Sequence, residues 1–380
     1  MTNIDETPAD AWLREFADRV FASLPRSDQR RWAQLYLIGL LRDGPQAISR
    51  TAEAVPGRSA VQSLQQFINQ SPWDWAPVRA QVALEIHERM GPRAWTAAYL
   101  VIPKRGGQAA GVDRRFVPAL DRTVNSQAAV SLLLTGSAGG IPVNWRLLLS
   151  PRWIADPDLR RQARIPPSVA ARSEWEELVD MVSELQQWGL PRRPLVAQWS
   201  GIPGADQLIG QLAQQDQGFL VGVDPQTKVV PHRSTRADGL RRSPAPTPLP
   251  VSRFPAGVQQ RVTVVNGITG RKEVFRLSQR SLAFPGQEMA SGLRLLVTGR
   301  AGQDRTPDYW ITNLRDASPR ELAALLQLPR VDKPVGDSLH EKLGIRAFTG
   351  RSFPGWHHYV TLTSIAVALQ NFLPLDAFFN

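Results

Sequence analysis

The chain has 380 residues, 42% hydrophobic and 21% charged, a balance that excludes wholesale disorder and allows a large buried core in two or three folding units. It has no cysteine, which rules out disulfides, thiolate zinc sites and a cysteine nucleophile, and no apolar run reaches the roughly 18–20 residues of a membrane span. The net charge of +11 points to a polyanionic partner, because Arg and Lys that neutralise phosphates release bound counterions.

The first residues, MTNIDETPADAWL, are acidic and lack both a basic leader and an apolar core, so the expectation is a cytoplasmic protein with no secretory signal. Helical periodicity follows over DAWLREFADRVFASL and RRWAQLYLIGLLRD, and Gly44-Pro45 closes the second segment. Residues 48–68 read as a short helix, a Pro56-Gly57 turn and a second helix opening at Ser59. This is either a helix-turn-helix that presents Arg58, Gln62 and Gln65 to a DNA groove or a plain helical hairpin. Another amphipathic helix runs from Ser71-Pro72-Trp73-Asp74 to about Met90.

Apolar runs then replace the helical period. Tyr99–Ile102, Ala110–Phe116 and Ala128–Leu134 read as a three-stranded antiparallel meander. A helix over about Ser173–Trp188, a strand Leu195–Trp199, a helix near Gly204–Gln214 and a strand Phe219–Val223 follow. Three strands, then helix, strand, helix, strand is the order of an RNase H-like domain. Between Gln226 and Pro285 stand eleven basic residues against Asp238 and Glu273, so most of the net charge sits in one segment. That segment opens on a Pro- and Ser-rich linker containing Arg241 and Arg242, and continues as short strands at Val258–Val265, Lys272–Leu277, Leu293–Val297 and Tyr309–Asn313. Helices at Pro319–Leu328, about Ser338–Leu343 and His358–Leu373 close the chain.

Several stretches carry a family resemblance: Phe67-Ile-Asn-Gln-Ser-Pro-Trp-Asp74, Pro103-Lys-Arg-Gly106, Arg114-Arg-Phe116, Asn125-Ser-Gln127, Trp145-Arg-Leu147, Asp156-Pro-Asp158, Tyr309-Trp310 and Gly350-Arg-Ser352 with Gly355-Trp-His-His358. From about Gln66 to Leu373 the chain resembles the DDE-type transposases of bacterial insertion sequences, in which a β-rich insertion interrupts an RNase H-like core. The resemblance implies a mixed α/β fold: a helical, DNA-binding region over 1–95, the core over 96–225 and 301–380, and a basic insertion over 226–300.

It also implies chemistry. Two divalent metals held by two Asp and one Glu stabilise the attacking and leaving oxygens of phosphodiester cleavage. At the three places where the family carries those acids this chain has Ala98-Tyr99-Leu100-Val101-Ile102, then Ala197-Gln198-Trp199, then Val331-Asp332-Lys333-Pro334, which puts Tyr99, Gln198 and Lys333 at the acid positions. An amide or an ammonium cannot replace a carboxylate in such a cage. The expectation is therefore a protein without a metal or other cofactor and without a small-molecule substrate. It would be a pseudo-transposase that binds double-stranded DNA sequence-specifically as a transcriptional regulator or a protein of chromosome ends, on the nucleoid and with pairing into a homodimer plausible. Arg58, Gln62, Lys104, Arg105, Arg233, Arg236, Arg241, Arg242, Arg271, Lys272, Arg351 and His357 are its candidate DNA contacts. A protein-interaction scaffold, or a living nuclease with relocated carboxylates, are the alternatives.

Overall fold

The computed structural model describes residues 8–44, 59–117, 121–137, 139–232, 247–255, 257–266, 270–285, 292–300, 306–331 and 343–372. Arg58, Arg233, Arg236, Arg241, Arg242 and Lys333 lie outside them, as do the first helix of the expected helix-turn-helix and most of the short helix expected near residue 340.

Helices α1 (Pro8–Val20), α2 (Ser27–Asp43), α3 (Ser59–Asn69) and α4 (Trp75–Met90) come first. Their apolar stripes turn inward: α3 buries Leu64, Phe67 and Ile68 and leaves Gln62, Gln65 and Gln66 exposed. Asp74 caps α4 by accepting the Ala76 N–H, and Gly91 ends it in the left-handed conformation.

The core sheet begins with β1 (Ala94–Pro103), β2 (Asp113–Val117), β3 (Arg122–Gly136) and β4 (Gly139–Leu148). β1 and β4 pair antiparallel with opposite sides of β3, and β2 takes the first five residues of β3. Short helices α5 (Pro151–Ala155) and α6 (Pro157–Gln162) lead to α7 (Glu174–Gln187), β5 (Leu195–Gln198), α8 (Ala205–Gln214) and β6 (Phe219–Val223). β5 runs parallel to β1 and β6 parallel to β5. This is the RNase H-like arrangement, but its third strand is β4. The sequence reading missed β4 because the strand is buried on both faces, so it does not alternate, and because Gly139, Gly140 and Pro142 look like a turn.

The basic segment supplies β7 (Lys228–Pro231), β8 (Leu249–Pro250), β9 (Gln259–Val265) and β10 (Lys272–Ala283), followed by β11 (Leu293–Arg300) and β12 (Asp308–Thr312). It builds no sheet of its own. β12 pairs with β6, β11 with β12, and β10 with β11, so a single sheet runs β2-β3-β1-β5-β6-β12-β11-β10.

Side chains alternate across this sheet, and the register sorts them into two layers. Trp95, Leu195, Ala197 and Phe219 face the main core, with Leu178 and Met181 of α7 and Leu208 and Leu212 of α8. Ala94, Val196, Leu220, Leu296 and Trp310 face Leu322 and Leu326 of α9 (Pro319–Val331).

The last helix, α10 (Phe353–Phe372), is buried from Gly355 to Leu369, so every polar group on it needs an internal partner. Arg79 of α4 meets two of these residues, Thr361 and His357, and ties them to β4. Its Nε donates to Thr361 Oγ1 (2.8 Å), Nη1 to Asn144 Oδ1 (3.2 Å) and to the Trp145 carbonyl (2.9 Å), and Nη2 to His357 Nδ1 (3.1 Å). Because a guanidinium only donates, His357 Nδ1 accepts, so the ring is neutral; burial first and the Arg79 charge second hold its pKa well below the usual value. Both ring nitrogens of His358 meet carbonyl oxygens, Ile68 at 2.8 Å and Trp73 at 2.9 Å, which favour the charged ring. Burial opposes them and wins, pushing His358 down to about 4.

A folded-state histidine pKa below the unfolded one means that stability is complete above about pH 6.5 and is lost as the pH falls toward 4. For His358 alone the slope is up to about 1.4 kcal/mol per pH unit. Urea midpoints measured from pH 7 down to pH 4 should fall across this window, and His358→Gln should flatten the fall.

Candidate nucleic-acid interface

Of the places of the three expected acids, the first lies in the middle of β1 and the second at the end of β5; the third, Lys333, is outside the described residues. Gln198, the last residue of β5, is exposed, and its Nε2 donates to Ser200 Oγ at 3.2 Å. Its side chain leans over Gly222, its register partner on β6, so closely that a Cβ there would stand 2.8 Å from Oε1.

Ala97 lies opposite Ala197 in the parallel β1–β5 pair. The β1 residue that shares a face with Gln198 is therefore Ala98, and Tyr99 points to the other side. The electrostatics agree: burial and then the charge of Glu174, the first residue of α7, push the Tyr99 phenol up. Tyr99, the residue expected at the first acid position, therefore does not share the Gln198 face; Ala98 does. A one-residue offset transfers a strand side chain to the opposite layer, and only the register could settle it.

Ala98 stands opposite Ser131, whose buried Oγ has no hydrogen-bond partner. α9 packs on this face, and Lys333 lies beyond its last described residue. Asp224, just past β6, accepts the Gly201 N–H at 3.0 Å through Oδ1. Among the described residues no three His, Asp or Glu side chains are grouped to hold a metal ion.

β1 runs into the turn Pro103-Lys104-Arg105-Gly106-Gly107, where Gly106 takes φ 83°, a left-handed backbone that suits glycine. The Lys104 N–H donates to the Asn125 carbonyl (2.8 Å) and its ammonium to the Phe348 carbonyl. Burial pulls Lys104 down to about 8, so this lysine holds the turn against the segment before α10. Arg105, by contrast, is exposed.

A second strap crosses the same face: Gln127 Nε2 donates to the Ala110 carbonyl (2.7 Å), and the Ala110 N–H donates to the carbonyl of exposed Arg351 (2.9 Å). Next to Arg351, Ser352 Oγ donates to the Asn69 carbonyl at 3.2 Å, and Arg164 Nη1 donates to the same oxygen at 2.8 Å. With His358 on Ile68, three side chains thereby satisfy the C-terminal carbonyls of α3. These contacts join the exposed Gln62 and Gln65 of α3 to Arg164, Arg351 and Arg105 at the carboxyl end of β1. The sequence reading missed Arg164, whose partner lies 95 residues away.

His357 does not belong to this surface. It is 2% exposed, its ring stacks on Trp75 at 4.5 Å, and Arg79 holds its Nδ1, so the expected DNA contact is corrected to a packing role.

The basic segment presents a second surface. Arg271 and Lys272 are exposed, and Arg261 on β9 sits directly opposite Arg276 on β10, a like-charge cross-strand pair that weakens a sheet by itself. Phe275 and Leu277 face α9, so Lys272, Arg276 and Arg280 lie on the other face. The two basic surfaces thus occupy opposite faces of one sheet, turned further by twist of roughly 20–25° per strand.

Residues 19–282 match the family described as DDE superfamily endonuclease. No curated protein matches the chain. Among solved structures, the piggyBac transposase synaptic complex with hairpin DNA, determined by cryo-EM, aligns at 12% identity over 95% of this chain and 73% of its own, with a TM-score of 0.37. At that score the likeness is weak and bears on neither site nor partner.

The face assignment has a direct consequence. Ala98→Asp with Gln198→Asp sets two carboxylates side by side, and titration with manganese should detect binding. Tyr99→Asp with Gln198→Asp, which splits the pair across the sheet, should bind at least about tenfold more weakly, since one carboxylate then stands alone.

Proposed function

Because the chain belongs to the DDE superfamily endonucleases, with residues 19–282 matched, we propose that it is a member that grips double-stranded DNA without cutting it. One observation carries the reading: in the middle of β1 and at the end of β5 the face that would hold two metal-binding acids holds Ala98 and Gln198, while exposed Arg105 and Arg351 stand farther along the same face, past the end of β1. Lys333 is the residue that the resemblance puts at the third acid position. A site of this make-up has no oxygen cage for paired cations.

Gripping a duplex needs no metal. Backbone contacts from Arg and from backbone amides set register and orientation, and side chains on a helix read base edges. Here Arg105, Arg164 and Arg351 would take phosphates and the exposed amides of Gln62 and Gln65 would reach into the major groove, where a glutamine amide pairs with adenine through two bonds. The β9–β10 surface, with exposed Arg261, Lys272 and Arg280 on one face, would hold a second stretch of backbone. A protein that holds a specific site without cutting serves as a transcriptional regulator or at a chromosome end. Among the described residues no helix is long and apolar enough to cross a membrane.

Fluorescence anisotropy with a labelled duplex from 50 to 300 mM salt tests the reading. Binding should weaken steeply with salt, the log–log slope shrinking by roughly one unit for each phosphate contact removed. Arg105→Ala with Arg351→Ala should lower the slope by about two, and Arg261→Ala with Lys272→Ala and Arg280→Ala by about three, the two sets adding because they lie on separate faces. Salt-independent binding, or none, would overturn the reading.

A further inference from the structure

Phe116 stands out among the described apolar side chains. It is a large aromatic ring, 59% exposed, on β2, the first strand of the sheet path, whose outer edge has no partner strand among the described residues. β2 alternates: Asp113, Arg115 and Val117 turn to the inner layer, where Arg115 pairs with Asp113 at 3.4 Å, while Arg114 and Phe116 turn outward. Their register partners on β3 are Asn125 and Thr123, which share the outward face. The patch thus holds a ring, a guanidinium, an amide and a hydroxyl on flat, open sheet. Exposed Arg122, opposite Val117, turns to the other face, while exposed Arg105 follows Lys104, whose N–H donates to the Asn125 carbonyl.

The face is also informative. Asn125 and Thr123 continue the row of Gln127, Ala129 and Ser131 on β3, and Ser131 lies opposite Ala98. Phe116 is therefore on the same side of the sheet as Ala98 and Gln198, about 27 Å along β3 from the level of Ala98 at roughly 3.4 Å per residue. Arg351, on the strap over Gln127, lies between them.

We propose that Phe116 is a stacking platform for an unpaired nucleobase, with Arg114 holding the adjoining phosphate and Asn125 and Thr123 offering hydrogen bonds to the base edge. An exposed aromatic ring beside Arg114 and two polar side chains on an open sheet face suits a single-stranded nucleotide, whose base has a π-face and whose backbone is charged. The site rests on the DNA-binding reading and deepens it: a duplex held along Arg351 and Arg105 would present a frayed end, an overhang or a displaced base to Phe116.

The test uses the full chain with three probes: a blunt duplex, the same duplex with a four-nucleotide overhang, and the overhang carrying 2-aminopurine. The wild type should prefer the overhang and should quench 2-aminopurine fluorescence. Phe116→Ala should lose roughly 5- to 100-fold in overhang affinity, with the blunt duplex unchanged. Phe116→Trp should keep both preference and quenching, and Phe116→Leu, apolar but without a stacking face, should lose them. Since the ring is exposed, these variants should keep the wild-type melting temperature. Equal overhang binding by wild type and Phe116→Ala, or retention by Phe116→Leu, would overturn the stacking site while leaving duplex binding intact. A shift in oligomeric state with Phe116→Ala and no change in overhang binding would overturn it in favour of a contact between copies of the chain. Failure of the wild type to bind any probe would overturn the DNA-binding reading and this site with it.

Discussion

The parallel register of β1 and β5, with Ala97 opposite Ala197, is the constraint on which the rest of the site depends. In a strand the side-chain period is two, so fixing one pair fixes the face of every neighbour. Ala98, Gln198, Gly222 and Ser131 then line one shallow surface beneath α9, and Tyr99 is committed to the layer of α7. The same alternation, carried through β3 and β2, places Arg114 and Phe116 on the site face. Carried the other way through β6, β12 and β11, it places Arg276 and Arg280 on the opposite one.

What holds this sheet in place is a buried polar girder. Arg79 donates to side chains or carbonyls of α10 and β4, and through Asn144, whose Nδ2 donates to Glu184 Oε2 at 2.7 Å, the network reaches α7. A guanidinium in so dry a place is tolerable only with its donors satisfied. The consequence for function is positional. α10 fixes the C-terminal end of α3 through His358, and α3 carries the exposed glutamines proposed to read DNA. A reading helix clamped at its carbonyl end sits at a defined angle to the arginines at the end of β1.

Much of this was legible in the sequence. The helical period over residues 8–43 and 59–90, the alternation of β9 and β10 and the strand–helix–strand–helix–strand order each follow from local patterning, and the motif stretches pointed to the DDE family that residues 19–282 match. Four features were not legible. β4 is buried on both faces and therefore has no alternation to read. The choice between Ala98 and Tyr99 depends on pairing with β5, about a hundred residues away, which local pattern cannot supply. His357 looked like a polar group on a motif, and only its burial beside Arg79 and Trp75 assigns it to packing. Nor does any local signal show that the basic segment extends the core sheet, because β12, which joins it to β6, is an ordinary short apolar run.

The reading turns on a separation of binding from chemistry in one fold. The most direct measurement incubates the purified chain with supercoiled plasmid in magnesium and then in manganese, at a salt concentration where anisotropy shows the DNA to be bound. The account predicts a retained complex and a plasmid that stays supercoiled over hours. Nicked or linear plasmid, produced in proportion to the bound protein and abolished by chelation of the metal, would contradict it.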